Sequence, residues 1–229
     1  LGLARNLWRE DQSTLKKINR ARVFQQAYVH RRFPMWSVPE ALFNTAGVQL
    51  PVIMIAASTV GPEAGYLLLA MRVMGLPMGL IGSSVAQVFL VEAPEKYKDG
   101  TLSTFTRRTM WTLFRTGAPP LIVIGAISPF LFPMVFGAEW ARAGWLVAWM
   151  TPWFVLQFVA SPVSMILHVT GRVAVAMWLQ VFGFALRVGL VFMLLSVDES
   201  IISEVYSATG AIFYAIYLTV ICALIRKAK

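Results

Sequence analysis

The chain has 229 residues, 58% of them hydrophobic and 14% charged, against roughly 45–50% and 25% in an average soluble domain. A globule of this size cannot bury so much apolar surface, which excludes a disordered chain and leaves lipid as the solvent for the remainder. Twenty Lys and Arg against eleven Asp and Glu give a net charge of +9, so the placement of the cations must decide between nucleic acid, anionic lipid and an anionic substrate. Cys222 is the one cysteine, which excludes an internal disulfide framework.

In chain order, six apolar stretches are long enough for hydrocarbon about 30 Å thick, which takes about 20 helical residues. They cover residues 39–60, 63–91, 111–136, 141–167, 173–197 and 205–225. Gly61-Pro62, the charged stretch Glu92 to Asp99, Gly137 and the neighbourhood of Gly171 punctuate them. The expected fold is therefore all-α integral membrane. Residues 1–36 read as a basic cytoplasmic connector with an interfacial helix, where Leu15, Ile18, Tyr28 and Val29 form a weak apolar stripe. It has no apolar core of a signal peptide. Leu1 stands where an initiator methionine is expected, which suggests a fragment whose N-terminal half is missing.

Seventeen cations flank one side of these stretches: eight in residues 1–32, five around the connection of the second and third stretches (Lys96, Lys98, Arg107, Arg108 and Arg115), then Arg172, Arg226, Lys227 and Lys229. The opposite connections carry Arg142 beside Glu63, Glu139, Asp198, Glu199 and Glu204. Cytoplasmic flanks collect Lys and Arg, so both termini are expected in the cytoplasm, with anionic lipid as a partner at that face. Cations spread along membrane flanks, without interleaved aromatics, do not make a nucleic-acid groove.

An internal echo joins the second and fourth stretches: Gly61-Pro-Glu-Ala-Gly-Tyr-Leu and Gly137-Ala-Glu-Trp-Ala-Arg-Ala-Gly-Trp-Leu both read Gly-x-Glu, then Ala-Gly-aromatic-Leu. It fits either hairpin duplication, common in transporters, or recurrent loop chemistry with Gly ending one helix and a carboxylate opening the next.

No catalytic or metal-ligand spacing is visible. His30 sits in the basic segment and His168 at a helix end, neither at ligand spacing from Cys, Asp or Glu. An enzyme is a poor fit, and no cofactor is expected. The chemistry-bearing residues are Arg72 and Arg187, which lie inside the apolar stretches. At about nine and ten residues from the outer ends they are roughly 13 and 15 Å deep. An arginine there costs at least about 2.5–3.5 kcal/mol, so it should face the bundle interior or a wet cavity. An internal ion pair would satisfy it, but no carboxylate in the chain sits at that depth.

On a helical wheel Arg72, Gly79, Ser83 and Gln87 share one face, and Gln180 precedes Arg187 on the same stripe. Glu40, Asn44, Gly47, Pro51 and Ser58 form a further polar and small-residue band, which reads as cavity lining or as close helix packing. The substrate-contacting set expected from these faces is Arg72, Arg187, Asn44, Gln49, Gln87 and Gln180. Prolines at 51, 77, 119, 120, 129, 133, 152 and 162 offer bends suited to alternating access, which ordinary membrane packing also tolerates. Trp36, Trp111 and Trp140 sit at expected interfaces, where anchoring in the aromatic belt suffices.

The run Arg31-Arg-Phe-Pro-Met-Trp-Ser-Val-Pro-Glu-Ala-Leu-Phe-Asn-Thr with Gln49-Leu-Pro resembles the start of the C-terminal half of bacterial polysaccharide biosynthesis proteins of the Wzx flippase type. Ala70-Met-Arg-Val-Met-Gly-Leu-Pro-Met-Gly-Leu-Ile-Gly with Gln87-Val-Phe, Phe136-Gly-Ala-Glu-Trp-Ala-Arg-Ala-Gly, and Pro152-Trp-Phe-Val-Leu-Gln-Phe-Val-Ala-Ser-Pro are similar to its later segments. The resemblance implies the multidrug, oligosaccharidyl-lipid and polysaccharide exporter superfamily. Its members have two lobes and twelve to fourteen helices around a central cavity, of which this chain would be one lobe. It further implies flipping of undecaprenyl-pyrophosphate-linked repeat units across the bacterial cytoplasmic membrane, and aligns Arg72 with a family arginine. The alternative in the same superfamily is a drug or cation exporter, for which Glu40 is the available carboxylate.

Overall fold

The computed structural model of the chain describes residues 31–59, 61–195 and 201–227, together with Gln25 and Tyr28. Most of the expected interfacial helix over residues 1 to 32, His30, and the outer carboxylates Asp198 and Glu199 fall on residues outside that set. Among the described residues there are helices and turns and no strand. The helices are α1 (Arg32–Ser58), α2 (Glu63–Pro77), α3 (Ser83–Lys98), α4 (Leu102–Phe136), α5 (Ala141–Val163), α6 (Ile166–Val169), α7 (Val173–Leu194) and α8 (Ile202–Lys227). A π turn, Met78–Gly82, fuses α2 to α3, and a 3-10 turn, Ala138–Trp140, opens α5.

Among the described residues six helical spans are long and apolar enough to cross a membrane: Pro34–Ser58, Glu63–Lys98, Leu102–Phe136, Ala138–Val169, Val173–Leu194 and Ile202–Arg226. All six expected stretches are present, but several ends move. The second continues to Lys98 and the third begins at Leu102, so the charged residues 92 to 98 are helical and not a loop. The physical reason is that a helix leaving hydrocarbon for water accepts Glu92, Glu95, Lys96 and Lys98 freely, and the basic pair Lys96 and Lys98 suits its C-terminus. The turn between the two helices shrinks to Asp99, Gly100 and Thr101, with Gly100 at φ +68°. Gly61, Gly137 and Gly171 also have positive φ, so glycines turn the chain where three of the expected breaks were placed. α1 starts earlier than expected and carries Pro39 inside it. The fourth stretch is interrupted at Ser164 and Met165, just beyond Pro162, before the single turn α6.

α5 is the hub. Of its span's apolar window 67% is buried, against 17–33% for the other five. It carries Leu146, Met150, Trp153, Phe158 and Val163 into the common core and packs on α4, α8 and α2, while α1 packs on α7. Since lipid is as apolar as leucine, helices in a membrane associate through close approach and interhelical hydrogen bonds. α4 accordingly presents the buried stripe Gly117, Leu121, Gly125, Ser128 and Phe132. Gly117 receives the Phe158 ring and Gly125 receives Thr151. Gly144 of α5 lies against the Ser128 backbone carbonyl, and the Ser128 hydroxyl donates to the Gly144 carbonyl at 2.9 Å. The same device seats Phe213 on Gly183 and Trp153 on Gly210.

Candidate functional site

The starts of α2, α5 and α8 meet in one ion cluster. Arg142 donates from Nε and Nη2 to Glu63 (3.2 and 2.9 Å), from Nη2 to Glu204 (3.0 Å), and from Nη1 to the other oxygen of Glu204. Each carboxylate stands in the first turn of its helix, where the partial positive charge of the N-terminus favours it. Their positions in the chain put these residues on one side of the expected spans without indicating that they pair. The echo segments also meet here: Arg142 of the second reaches Glu63 of the first, and Tyr66 stands edge-on to Trp140 with ring centres 5.5 Å apart. At the opposite, cation-rich end, Glu40 of α1 and His168 of α6 are 3.0 Å apart, both side chains mostly buried.

Arg187 and Gln180 share the buried stripe of α7 with Gly183 and Val191, as the wheel anticipates. What surrounds Arg187 does not follow from its own helix. Its residue is 1% exposed, and its guanidinium carbon stands 4.5 Å from the ring centre of Phe213, 5.3 Å from Trp153 and 5.6 Å from Tyr214. Neither Nε nor Nη2 has a hydrogen-bond partner among the described residues. Aromatic faces from α5 and α8 thus supply the negative potential that a carboxylate would otherwise provide. Trp153 is in turn edge-on to Tyr206 at 5.2 Å, and Tyr206 donates to the Val48 carbonyl of α1 at 2.9 Å. One aromatic cluster therefore holds the cation and ties α5, α7, α8 and α1 together.

Arg72 is placed differently. It is exposed on α2, with no ion pair or hydrogen bond from its side chain among the described residues. Gly79, Ser83 and Gln87 are exposed too, as are Asn44 and Gln49 on α1. The wheel relating Arg72 to Ser83 and Gln87 assumed an unbroken α-helix. The π turn adds a residue to one turn, rotating α3 by about 100° relative to that wheel, so exposure and not phase is what these residues share. π turns of this kind frequently accompany functional sites.

The band on α1 divides. Gly47 and Pro51 are buried, with Phe184 of α7 directly over Gly47, and Glu40 engages His168; only Asn44 faces outward. Small residues here serve helix packing. Of the six expected site residues, four lie on exposed surfaces and two inside the bundle, and among the described residues no hydrogen bond or ion pair joins any two of them. Comparison with family models, with curated proteins and with solved structures finds no match for this chain.

Proposed function

We propose that this chain is one lobe of a transporter that flips undecaprenyl-pyrophosphate-linked oligosaccharides across the bacterial cytoplasmic membrane, with both ends of the chain on the cytoplasmic side. The observation that carries the reading is Arg72: an exposed, unpaired cation about nine residues inside a span long enough to cross the membrane. Hydrocarbon cannot solvate it, so a polar surface or an anion must. A second lobe facing α1 and α2 across a cavity supplies both requirements, and a pyrophosphate is the anion whose oxygens match a guanidinium fork. Exposed amides at Asn44, Gln49 and Gln87 add donors and acceptors for sugar hydroxyls. The cation-exporter reading has less support, because Glu40 is already engaged by His168.

Transport of lipid-linked oligosaccharide by the complete protein, measured beside protein level in the same cells, tests this. Arg72→Ala should abolish flipping at unchanged protein level, and Arg72→Lys should restore part of it, since an ammonium keeps the charge and loses the fork. Full transport by the alanine variant overturns the assignment. Loss of the protein itself would make Arg72 a structural strut.

A further inference from the structure

At the cation-rich end of the bundle a groove of about 560 Å³ opens between the start of α4 and the end of α8, with Val159 of α5 at its floor. Arg107 and Arg226 stand on its walls with Ser103 and Thr104, and the rest is apolar, including Trp111, Phe114 and Cys222. Trp111 and Phe114 are 60% and 45% exposed, so the groove is open sideways. No carboxylate lines it, and neither arginine has an ion-pair partner among the described residues. Arg226 alone would be explained by the negative end of the α8 dipole. Arg107 is not: with Arg108 it sits near the positive end of α4, whose first turn has no acidic residue and no side-chain cap. Nothing on α4 neutralises Arg107, so an anion entering the groove would meet two cations without ion-pair partners among the described residues.

From this arrangement we propose that the groove is a binding site for an anionic phospholipid of the surrounding bilayer. Arg107 and Arg226 hold its phosphate, and one acyl chain lies along Trp111, Phe114 and Cys222. Charge complementarity selects the headgroup, and the apolar floor beneath it selects a lipid over a soluble phosphate. The site stands on the membrane-spanning character of the helices and is independent of what the protein transports.

The test uses the full chain in nanodiscs of phosphatidylcholine with or without phosphatidylglycerol, counting retained lipids by native mass spectrometry and following alkylation of Cys222 by N-ethylmaleimide. Phosphatidylglycerol should be retained in preference to phosphatidylcholine and should slow the alkylation, whereas inorganic phosphate should leave the rate unchanged. Arg107→Gln with Arg226→Gln should weaken retention about thirtyfold, the value expected for about 1 kcal/mol per cation. Lys98→Gln with Arg172→Gln removes the same charge outside the groove and should retain the lipid. Should the glutamine pair fail to give monodisperse protein, Cys222→Phe, which fills the acyl channel and keeps both cations, should also lose the lipid. Equal retention of both lipids, equal loss in the control pair, protection of Cys222 by inorganic phosphate alone, or retention by the Cys222→Phe variant overturns the proposal.

Discussion

Arg187 is held against Phe213, guanidinium carbon to ring centre 4.5 Å, in the interior of the bundle and 1% exposed. Two of its nitrogens lack hydrogen-bond partners among the described residues, so desolvation is offset by aromatic faces and a hydrogen bond to the Tyr214 oxygen. A cation buried in this way stabilises less than its contacts suggest. Arg187→Ala should lower the thermal stability of the purified protein by the roughly 2–5 kcal/mol typical of a buried large-to-small change. Arg187→Met, which refills the volume without the charge, should match or exceed the parent in the same melt. A methionine variant as unstable as the alanine one would show that the charge itself is needed.

The Arg142 cluster is a second test of packing. Because Arg142 bonds to both Glu63 and Glu204, removing either carboxylate leaves the other pair in place. A double-mutant cycle of Arg142→Gln with Glu204→Gln, read by thermal melts, should show a coupling of about 1 kcal/mol, reduced in high salt because Arg142 is partly exposed. A coupling indistinguishable from zero would mean that the cluster does not join α5 to α8.

Glycine substitutions separate close approach from mere helix content. Gly144→Ala would place a methyl group against the Ser128 carbonyl, so it should cost several kcal/mol or abolish recovery of folded protein. Gly65→Ala, where nothing lies within 4 Å, should be neutral or stabilising by up to about 1 kcal/mol. Equal stability of the two variants would contradict the tight α4–α5 contact.

Orientation is tested by cysteine labelling in a Cys222→Ser background. Cysteines replacing Pro62 and Glu139 should react with an impermeant maleimide added outside the cell, and cysteines replacing Lys98 and Arg172 should react only after lysis. All four positions are exposed turns or helix ends, so access depends on side alone. The opposite labelling pattern would invert the proposed topology.

Span number and most breaks were legible because hydrocarbon thickness sets a minimum length and Gly61, Gly137 and Gly171 can take the positive φ that the turns need. Residues 92 to 98 were read as a break between two stretches because charge marks where hydrocarbon ends, which is not where a helix ends. The buried stripe of Gln180 and Arg187 followed from helical period, since both lie on the unbroken α7. Its cage did not, because Trp153, Phe213 and Tyr214 come from two other helices and a wheel carries no information about neighbours. The stripe through Arg72 suffered from a different cause, a register slip after Pro77 that local sequence signals only as proline and glycines.

That slip has a mechanical consequence. α2 and α3 together span 36 residues, about 54 Å, so the far end of α3 extends well past a 30 Å hydrocarbon layer. From Gly82 to Lys98 the arm is about 24 Å long. A bend of about 10° at the π turn would sweep its tip, and the short Asp99–Thr101 elbow attached to it, by about 4 Å, carrying with it the start of α4, where Phe105 stacks on Phe89 of α3 at 5.3 Å. The helix pair thus has its bend inside an apolar span and its charged handle, Glu92 to Lys98, at the end.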